Sequence, residues 1–188
     1  NSINGSFVNR CTIIYDLVIK KKISICNNIL DYGSGKGAML EPFILSKKKY
    51  KLYACDLKNN ISKNITKNSK FKRFISIKNF QKDKKKYDLI TVIHTLEHLI
   101  NPGKTLNLLK NKLTNKGKIL IQIPDFHFNP YDLIVYDHTV HYNINAIKKL
   151  ADKNDMEIFF LSNRVISCEI SLLLSKKKFK IKRNTKSN

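Results

Sequence analysis

Three groups of residues in this chain have side chains and spacings suited to chemistry. The first is Asp31-Tyr32-Gly33-Ser34-Gly35-Lys36-Gly37, an acid followed by three glycines at alternate positions. Glycine serves where backbone takes positive φ or comes into contact with a ligand, so this stretch suits a tight, ligand-facing turn. The second is Asp56, which lies 56 − 37 = 19 residues past the last glycine. That spacing suits a carboxylate accepting from both hydroxyls of a ribose, although an aspartate there would also serve to cap the next helix. The third is a set of histidines and acids, His94-Thr95-Leu96-Glu97-His98 and Asp137-His138-x-x-His141. A histidine titrates near working pH and a neighbouring carboxylate can orient it, which makes His138 a candidate general base and Asp137 its partner. Packing and capping of the following helix is the other role open to His138 and His141. His94 and His98 have the helical spacing of a metal pair, but no third ligand is evident and no metal is expected.

Elements to position these groups are readable from apolar spacing. Asn28–Asp31 is a short apolar strand ending in an acid, and Ala38–Leu45 supplies a helix with Pro42 in its first turn. Lys51–Asp56 is a second strand with its carboxylate at the C-terminal edge, and Phe71–Ile77 a third. Between them Asn59–Ser69 is a weak helix or a loop. Tyr87–Ile93 is almost continuously apolar, as the buried centre of a parallel sheet requires, and it runs directly into the first histidine group. An amphipathic helix over Gly103–Asn115 follows, with Asn115-Lys116-Gly117 as its C-cap, and Lys118–Pro124 is a fifth strand. Asp125–Tyr142 is a long connection rich in aromatic and ionisable residues, among them Asp132, Asp137, His138 and His141, and long loops in compact domains are usually functional. After a helix at Asn145–Ala151, Met156–Leu161 and Arg164–Leu174 are joined by a turn at Ser162-Asn163, so they must be antiparallel. A helical lead-in over residues 7–22 precedes the glycine loop.

Three nucleotide-binding loops compete for the glycines. A P-loop needs four residues before a Gly-Lys-Ser/Thr end, and Lys36-Gly37-Ala38 has neither the spacing nor the hydroxyl. A dinucleotide fingerprint survives on spacing alone, as Gly33-x-Gly35-x-x-Ala38. The third reading is a resemblance. Asp31-x-Gly33-x-Gly35-x-Gly37 resembles the first motif of class I S-adenosylmethionine-dependent methyltransferases. Tyr87-Asp88-Leu89-Ile90, followed by Leu96-Glu97-His98-Leu99 and Asn101-Pro102, is similar to the segment after the fourth strand in small-molecule members of that class.

The resemblance, which covers roughly residues 28–175, implies an α/β fold. This would be a Rossmann-like, seven-stranded, mostly parallel sheet with a C-terminal antiparallel hairpin, strand order 3-2-1-4-5-7-6 and helices on both faces. It implies S-adenosylmethionine as cofactor, held by Asp31, Gly33, Ser34, Gly35, Gly37, Asp56, Leu57 and His94, with Leu96-Glu97-His98 beside the substrate cleft. Asp137-His138-x-x-His141-Tyr142 also resembles the Glu-His-x-x-His-Phe segment of one broad methyltransferase family. More loosely it resembles the His-Glu-His segment of sugar C-methyltransferases, whose last histidine is the base; here Tyr136 stands for the first histidine and Asp137 for the glutamate. The function implied is methyl transfer to a small-molecule acceptor such as a sugar, a nucleotide-sugar or another metabolite. An RNA methyltransferase and a non-catalytic binding domain of the same fold are the alternatives.

Composition bounds the partners. The 188 residues are the size of one α/β domain, expected over 1–175, with a basic, flexible tail over 176–188. The 36 basic against 14 acidic residues give a net charge of +22, which by itself points to nucleic acid or an anionic surface. Only Arg10, Arg73, Arg164 and Arg183 are arginine, the residue favoured for bidentate recognition; the rest are lysine in a chain crowded with isoleucine and asparagine. These residues share adenine- and thymine-rich codons, so the charge does not require a nucleic-acid partner. Cys11, Cys26, Cys55 and Cys168 are too scattered for a zinc site or a disulfide framework and read as reduced, mostly buried thiols. With no membrane-length apolar run and no signal-peptide layout, a cytoplasmic location is expected. The first residue is Asn1 rather than methionine, as in a trimmed chain or a part of a longer one.

Overall fold

A strand with almost no polar side chain needs cover on both faces, and Tyr87–Ile93 has it. In the computed structural model, which describes residues 2–3, 6–7, 9–20, 23 and 27–177, this segment is β4, the middle of a seven-stranded sheet. The others are β1 (Asn28–Tyr32), β2 (Lys51–Asp56), β3 (Phe71–Ser76), β5 (Leu113–Pro124), β6 (Met156–Ser162) and β7 (Glu169–Lys176). Their order is β3-β2-β1-β4-β5-β7-β6. The first five are parallel; β7 runs antiparallel between β5 and β6, pairing Ile121 with Leu172 and Leu161 with Leu172 on its two sides. This is the expected Rossmann-like methyltransferase topology, with helices on both faces.

Alternation along the strands divides the core in two. Leu30, Tyr53, Ile90, Ile121 and Leu172 point to one face, under Leu106 and Leu109 of α5 (Pro102–Lys112) and Ile147 and Ala151 of α6 (Ile144–Lys153). Ile29, Leu52, Leu89, Leu120 and Leu173 point to the other, under Ile13 and Ile14 of α1 (Arg10–Ile14) and Phe43 of α2 (Glu41–Leu45). Two one-turn helices, α3 (Lys63–Thr66) and α4 (Ile77–Phe80), complete the crossovers. Pro42 sits in the first turn of α2, where its missing N–H costs nothing.

Several boundaries differ from those read in the sequence. The lead-in helix starts at Arg10, because Asn9 caps it by accepting from the Cys11 N–H at 2.9 Å. It widens into a π-helical turn over Tyr15–Ile19, and Phe7 lies instead in a two-residue strand paired with Ser2; residues 21 and 22 lie outside the described residues. Helix α5 ends at Lys112 rather than Asn115, because Leu113 already pairs with Tyr87 in β5. Gly117 is therefore no C-cap: it lets β5 pass close to β4, and a Cβ there would stand 2.8 Å from the Tyr87 carbonyl oxygen. β7 starts at Glu169 rather than Arg164, leaving 163–168 as a loop. Lys176 belongs to β7 and donates to the Leu113 carbonyl at 2.9 Å, so the expected tail loses its first residue to the sheet; 178–188 lie outside the described residues.

Cys11 and Cys55 are buried, and burial pushes their thiols up to about 11 and about 12; Cys168 is exposed, and Cys26 lies outside the described residues. Among the described residues no helix is long and apolar enough to cross a membrane.

Candidate active site

At the C-terminal end of β1 the chain turns sharply, with the Cys55 carbonyl of β2 accepting from the N–H groups of Gly33 (2.8 Å) and Ser34 (3.2 Å). Gly33 has φ +75°, and a Cβ on it would run into the Thr95 side chain, so the loop after β4 packs directly on the glycine turn. Gly35, at φ +51°, is the opposite case: nothing stands within 4 Å of where its Cβ would be, leaving that face of the backbone open to a ligand. The Asp56 carboxylate closes the turn, accepting from Gly35 N–H at 2.7 Å and Leu57 N–H at 2.6 Å. Leu57 beside it is 75% exposed. Asp31 is buried and accepts from the Thr91 hydroxyl at 2.7 Å, across the β1–β4 register that pairs the two residues. Burial pushes its carboxyl up to about 7 against the pull of that hydrogen bond. The Ser34 hydroxyl is buried without a hydrogen-bond partner among the described residues.

Just past β4 is His94, held at φ 46° with its N–H donating to the Gln122 carbonyl of β5 at 2.9 Å. Its ring lies between two carboxylates, Nδ1 3.2 Å from Glu97 Oε1 and Nε2 3.1 Å from Glu169 Oε2, neither contact aligned as a hydrogen bond. Burial lowers the imidazole pKa, but the two carboxylates outweigh it and hold it at about 9, so His94 is a cation at neutral pH. Glu169 also receives Arg10 at 2.8 Å and the Gln122 side-chain amide at 2.7 Å. Against the effect of its burial, these partners keep its carboxyl below the usual range. Glu169 was not singled out from sequence; its only signal there is an acid inside an otherwise apolar strand.

Two residues past Thr95, a short turn at Leu96–His98 buries the Glu97 side chain. The Glu97 carbonyl accepts from the N–H groups of Thr139 (2.8 Å) and Val140 (3.1 Å), which draws the 125–142 connection onto this turn. That connection brings in His138 and His141, and the carboxylate they share is Asp132. Its Oδ1 lies 2.7 Å from His138 Nδ1 and its Oδ2 2.9 Å from His141 Nδ1. An ionised carboxylate only accepts, so both Nδ1 atoms donate to it, and in the neutral imidazoles this arrangement leaves the lone pair on Nε2. The expected His138–Asp137 pair is thus not formed: Asp137 is exposed and turned to His98, whose Nδ1 lies 3.0 Å from its carbonyl and 3.4 Å from its Oδ2. Adjacent side chains on this irregular backbone point apart, and Asp132, six residues back in a 3-10 turn, takes the place assigned to Asp137. The His98 and His138 rings meet edge to face, with centroids 4.8 Å apart.

A family model described as a methyltransferase domain matches residues 17–159. The chain belongs to that family. This methyltransferase uses S-adenosylmethionine, and the open face of Gly35 beside the Asp56 carboxylate fits such a cofactor. No curated protein matches the chain significantly in sequence. Among solved structures, it is similar to an S-adenosylmethionine-dependent methyltransferase from Clostridium acetobutylicum, at 16% identity and TM-score 0.72, covering 91% of this chain and 93% of the other. A TehB-like S-adenosylmethionine-dependent methyltransferase from Corynebacterium glutamicum is similar at 13% identity and TM-score 0.64, over 93% and 90% of the two chains. An O-methyltransferase family 2 protein from Planctomyces limnophilus, solved with apigenin, is similar at 12% identity and TM-score 0.72, over 89% of this chain and 56% of that one. At these identities the structural likeness carries the fold of the methyltransferase.

Proposed function

We propose that residues 1–175 form one catalytic domain that transfers a methyl group from S-adenosylmethionine to a small-molecule acceptor, a sugar, nucleotide-sugar or other metabolite bearing an ionisable hydroxyl. The observation that carries this reading is the buried Asp132 carboxylate holding His138 and His141 by their Nδ1 atoms beside the turn that also packs on the glycine loop. The cofactor supplies a methyl group on a sulfonium. Asp31, Gly33, Ser34, Gly35 and Gly37 would hold its methionine end and Asp56 its ribose hydroxyls, with Leu57 and His94 as further contacts. Asp56 already accepts two backbone N–H groups, so its remaining lone pairs are fixed in direction before a ribose arrives.

His138 activates the acceptor. The acceptor's hydroxyl proton would pass to His138 Nε2 as its oxygen lone pair takes the methyl carbon, and the bonding pair released would remain with the sulfur. Asp132 fixes the tautomer and stabilises the imidazolium that results. The neighbour solved with apigenin is an O-methyltransferase family protein, which accords with a hydroxyl acceptor.

Calorimetry tests this reading. S-adenosylmethionine or its demethylated product should bind in the micromolar range while NAD does not, and His138→Gln should keep that affinity while losing turnover. Binding of NAD in preference would overturn it.

A further inference from the structure

Beside the Asp132-held histidines stand two residues with no place in that scheme, Glu97 and His98. Glu97 is 1% exposed, and among the described residues neither of its carboxylate oxygens has a hydrogen-bond partner. An ionised carboxylate out of water normally collects donors, because leaving it unpaired is costly. His94 offers one bent contact at 3.2 Å, and that ring is shared with Glu169. The Tyr142 hydroxyl is also buried without a hydrogen-bond partner among the described residues.

One ligand atom each from Glu97, His98 and His138 lies within 4.8 Å of the others. Both imidazoles are tied through Nδ1, His138 to the Asp132 carboxylate at 2.7 Å and His98 to the Asp137 carbonyl at 3.0 Å, which leaves Nε2 of each as the ligand atom. A metal-binding histidine characteristically has its other ring nitrogen on a carboxylate or carbonyl, which fixes the ring and raises its basicity. The cluster Asp132–His138–His141 also brings its ligand atoms within 4.8 Å, but there the carboxylate and both Nδ1 atoms already satisfy one another.

We propose that Glu97, His98 and His138 form a site for a divalent transition-metal ion, with Asp132 and Asp137 as the groups that orient its histidines. Two imidazoles and one carboxylate suit zinc, cobalt, iron or manganese better than calcium or magnesium. Ligands about 2.1 Å from a common ion stand roughly 3.4 Å apart, so the side chains draw together by about 1 Å on binding. Three protein ligands leave a position for an acceptor oxygen, whose hydroxyl pKa the ion lowers. This deepens the reading of His138 as the activating residue and rests on it: His138 then acts through the ion, and the displaced proton goes to Nε2 of His141.

The test is titration of the full chain with Co2+, read by its ligand-field absorption, and with Mn2+, read by loss of the free-ion resonance signal. One ion per chain is expected, with affinity at least tenfold weaker in Glu97→Gln, His98→Gln and His138→Gln and unchanged in His127→Gln. His98 is half-exposed, so His98→Gln keeps the test valid if the buried Glu97→Gln fails to fold. No ion bound to the wild type, or undiminished binding in His98→Gln, overturns the proposal. Binding lost in His141→Gln but kept in His98→Gln also overturns it, by moving the ion to Asp132. Calorimetry with S-adenosylmethionine on the same samples separates the two readings: ion binding without cofactor binding sinks the methyl-transfer scheme alone, and the converse sinks the metal site alone.

Discussion

The Asp132 carboxylate lies 2.7 Å from His138 Nδ1, six residues away, while Asp137, the neighbour of His138 in sequence, faces His98. A histidine whose Nδ1 is fixed on a buried carboxylate presents Nε2 in one tautomer and one direction, as an activating group requires.

His138→Gln should therefore cut turnover by about 10²–10⁴-fold, the usual contribution of a positioned base. Asp132→Asn should reduce it by at least about tenfold, since its amide nitrogen would face one imidazole N–H. Asp137→Asn should change turnover little. Steady-state rates on one acceptor, with melting curves as a check on folding, decide among these; equal losses for Asp132→Asn and Asp137→Asn would remove Asp132 from its role.

Asp56→Ala should weaken S-adenosylmethionine binding by about 1.5–3 kcal/mol, the scale of hydrogen bonds to a charged group. The structure adds a second effect. Because Asp56 also ties Gly35 to Leu57, the variant should lower the melting temperature, and saturating cofactor should restore only part of it. Unchanged affinity with a lowered melting temperature would leave Asp56 as a brace of the turn only.

His94 makes stability depend on pH. The imidazole titrates at 6.5 ordinarily and at about 9 in the fold, so the folded state holds the proton more tightly. Its contribution is fully present below 6.5 and is lost as pH rises through 9, a displacement worth on the order of 3 kcal/mol. Asp31, raised to about 7, also favours the protonated fold, but its contribution is lost mainly between the ordinary carboxylate range and 7, below the His94 window. Melting curves from pH 6.5 to 9 should show a falling midpoint that His94→Gln flattens; an equal fall in the variant would assign the effect elsewhere.

Gly33→Ala should destabilise by about 1–3 kcal/mol, because its Cβ needs the space of the Thr95 side chain at a φ that L-residues avoid. Adding Thr95→Ala, which removes the Oγ1 and Cγ2 atoms nearest that Cβ, should recover part of the loss; no recovery would assign it to backbone strain alone.

The parts of the fold legible in the sequence were those set by local chemistry. Alternate glycines after an acid can make few structures other than a sharp turn, and a strand as apolar as Tyr87–Ile93 must sit inside a sheet. Asp56 is singled out by counting along the chain and His94 by the resemblance of its segment, and both stand where a strand ends. Glu169 and Asp132 could not be found that way. Glu169 meets His94 only because β7 pairs antiparallel with β5, in a register that sets it opposite Pro124. Asp132 meets His138 through successive turns closed at Val135, on a segment that the Glu97 carbonyl anchors through Thr139 and Val140. Similarly, α5 stops at Lys112 because Leu113 finds a strand partner in Tyr87, a tertiary gain that local helix preference cannot anticipate.

Transfer of a labelled methyl group tests the central claim most directly. The chain is incubated with methyl-labelled S-adenosylmethionine and, separately, with a pool of small hydroxylated metabolites and with total RNA. Label should enter the small-molecule pool, fall by at least about 10²-fold with His138→Gln, and stay out of the RNA. Label appearing in RNA alone, or in neither pool while the cofactor binds, would contradict the account.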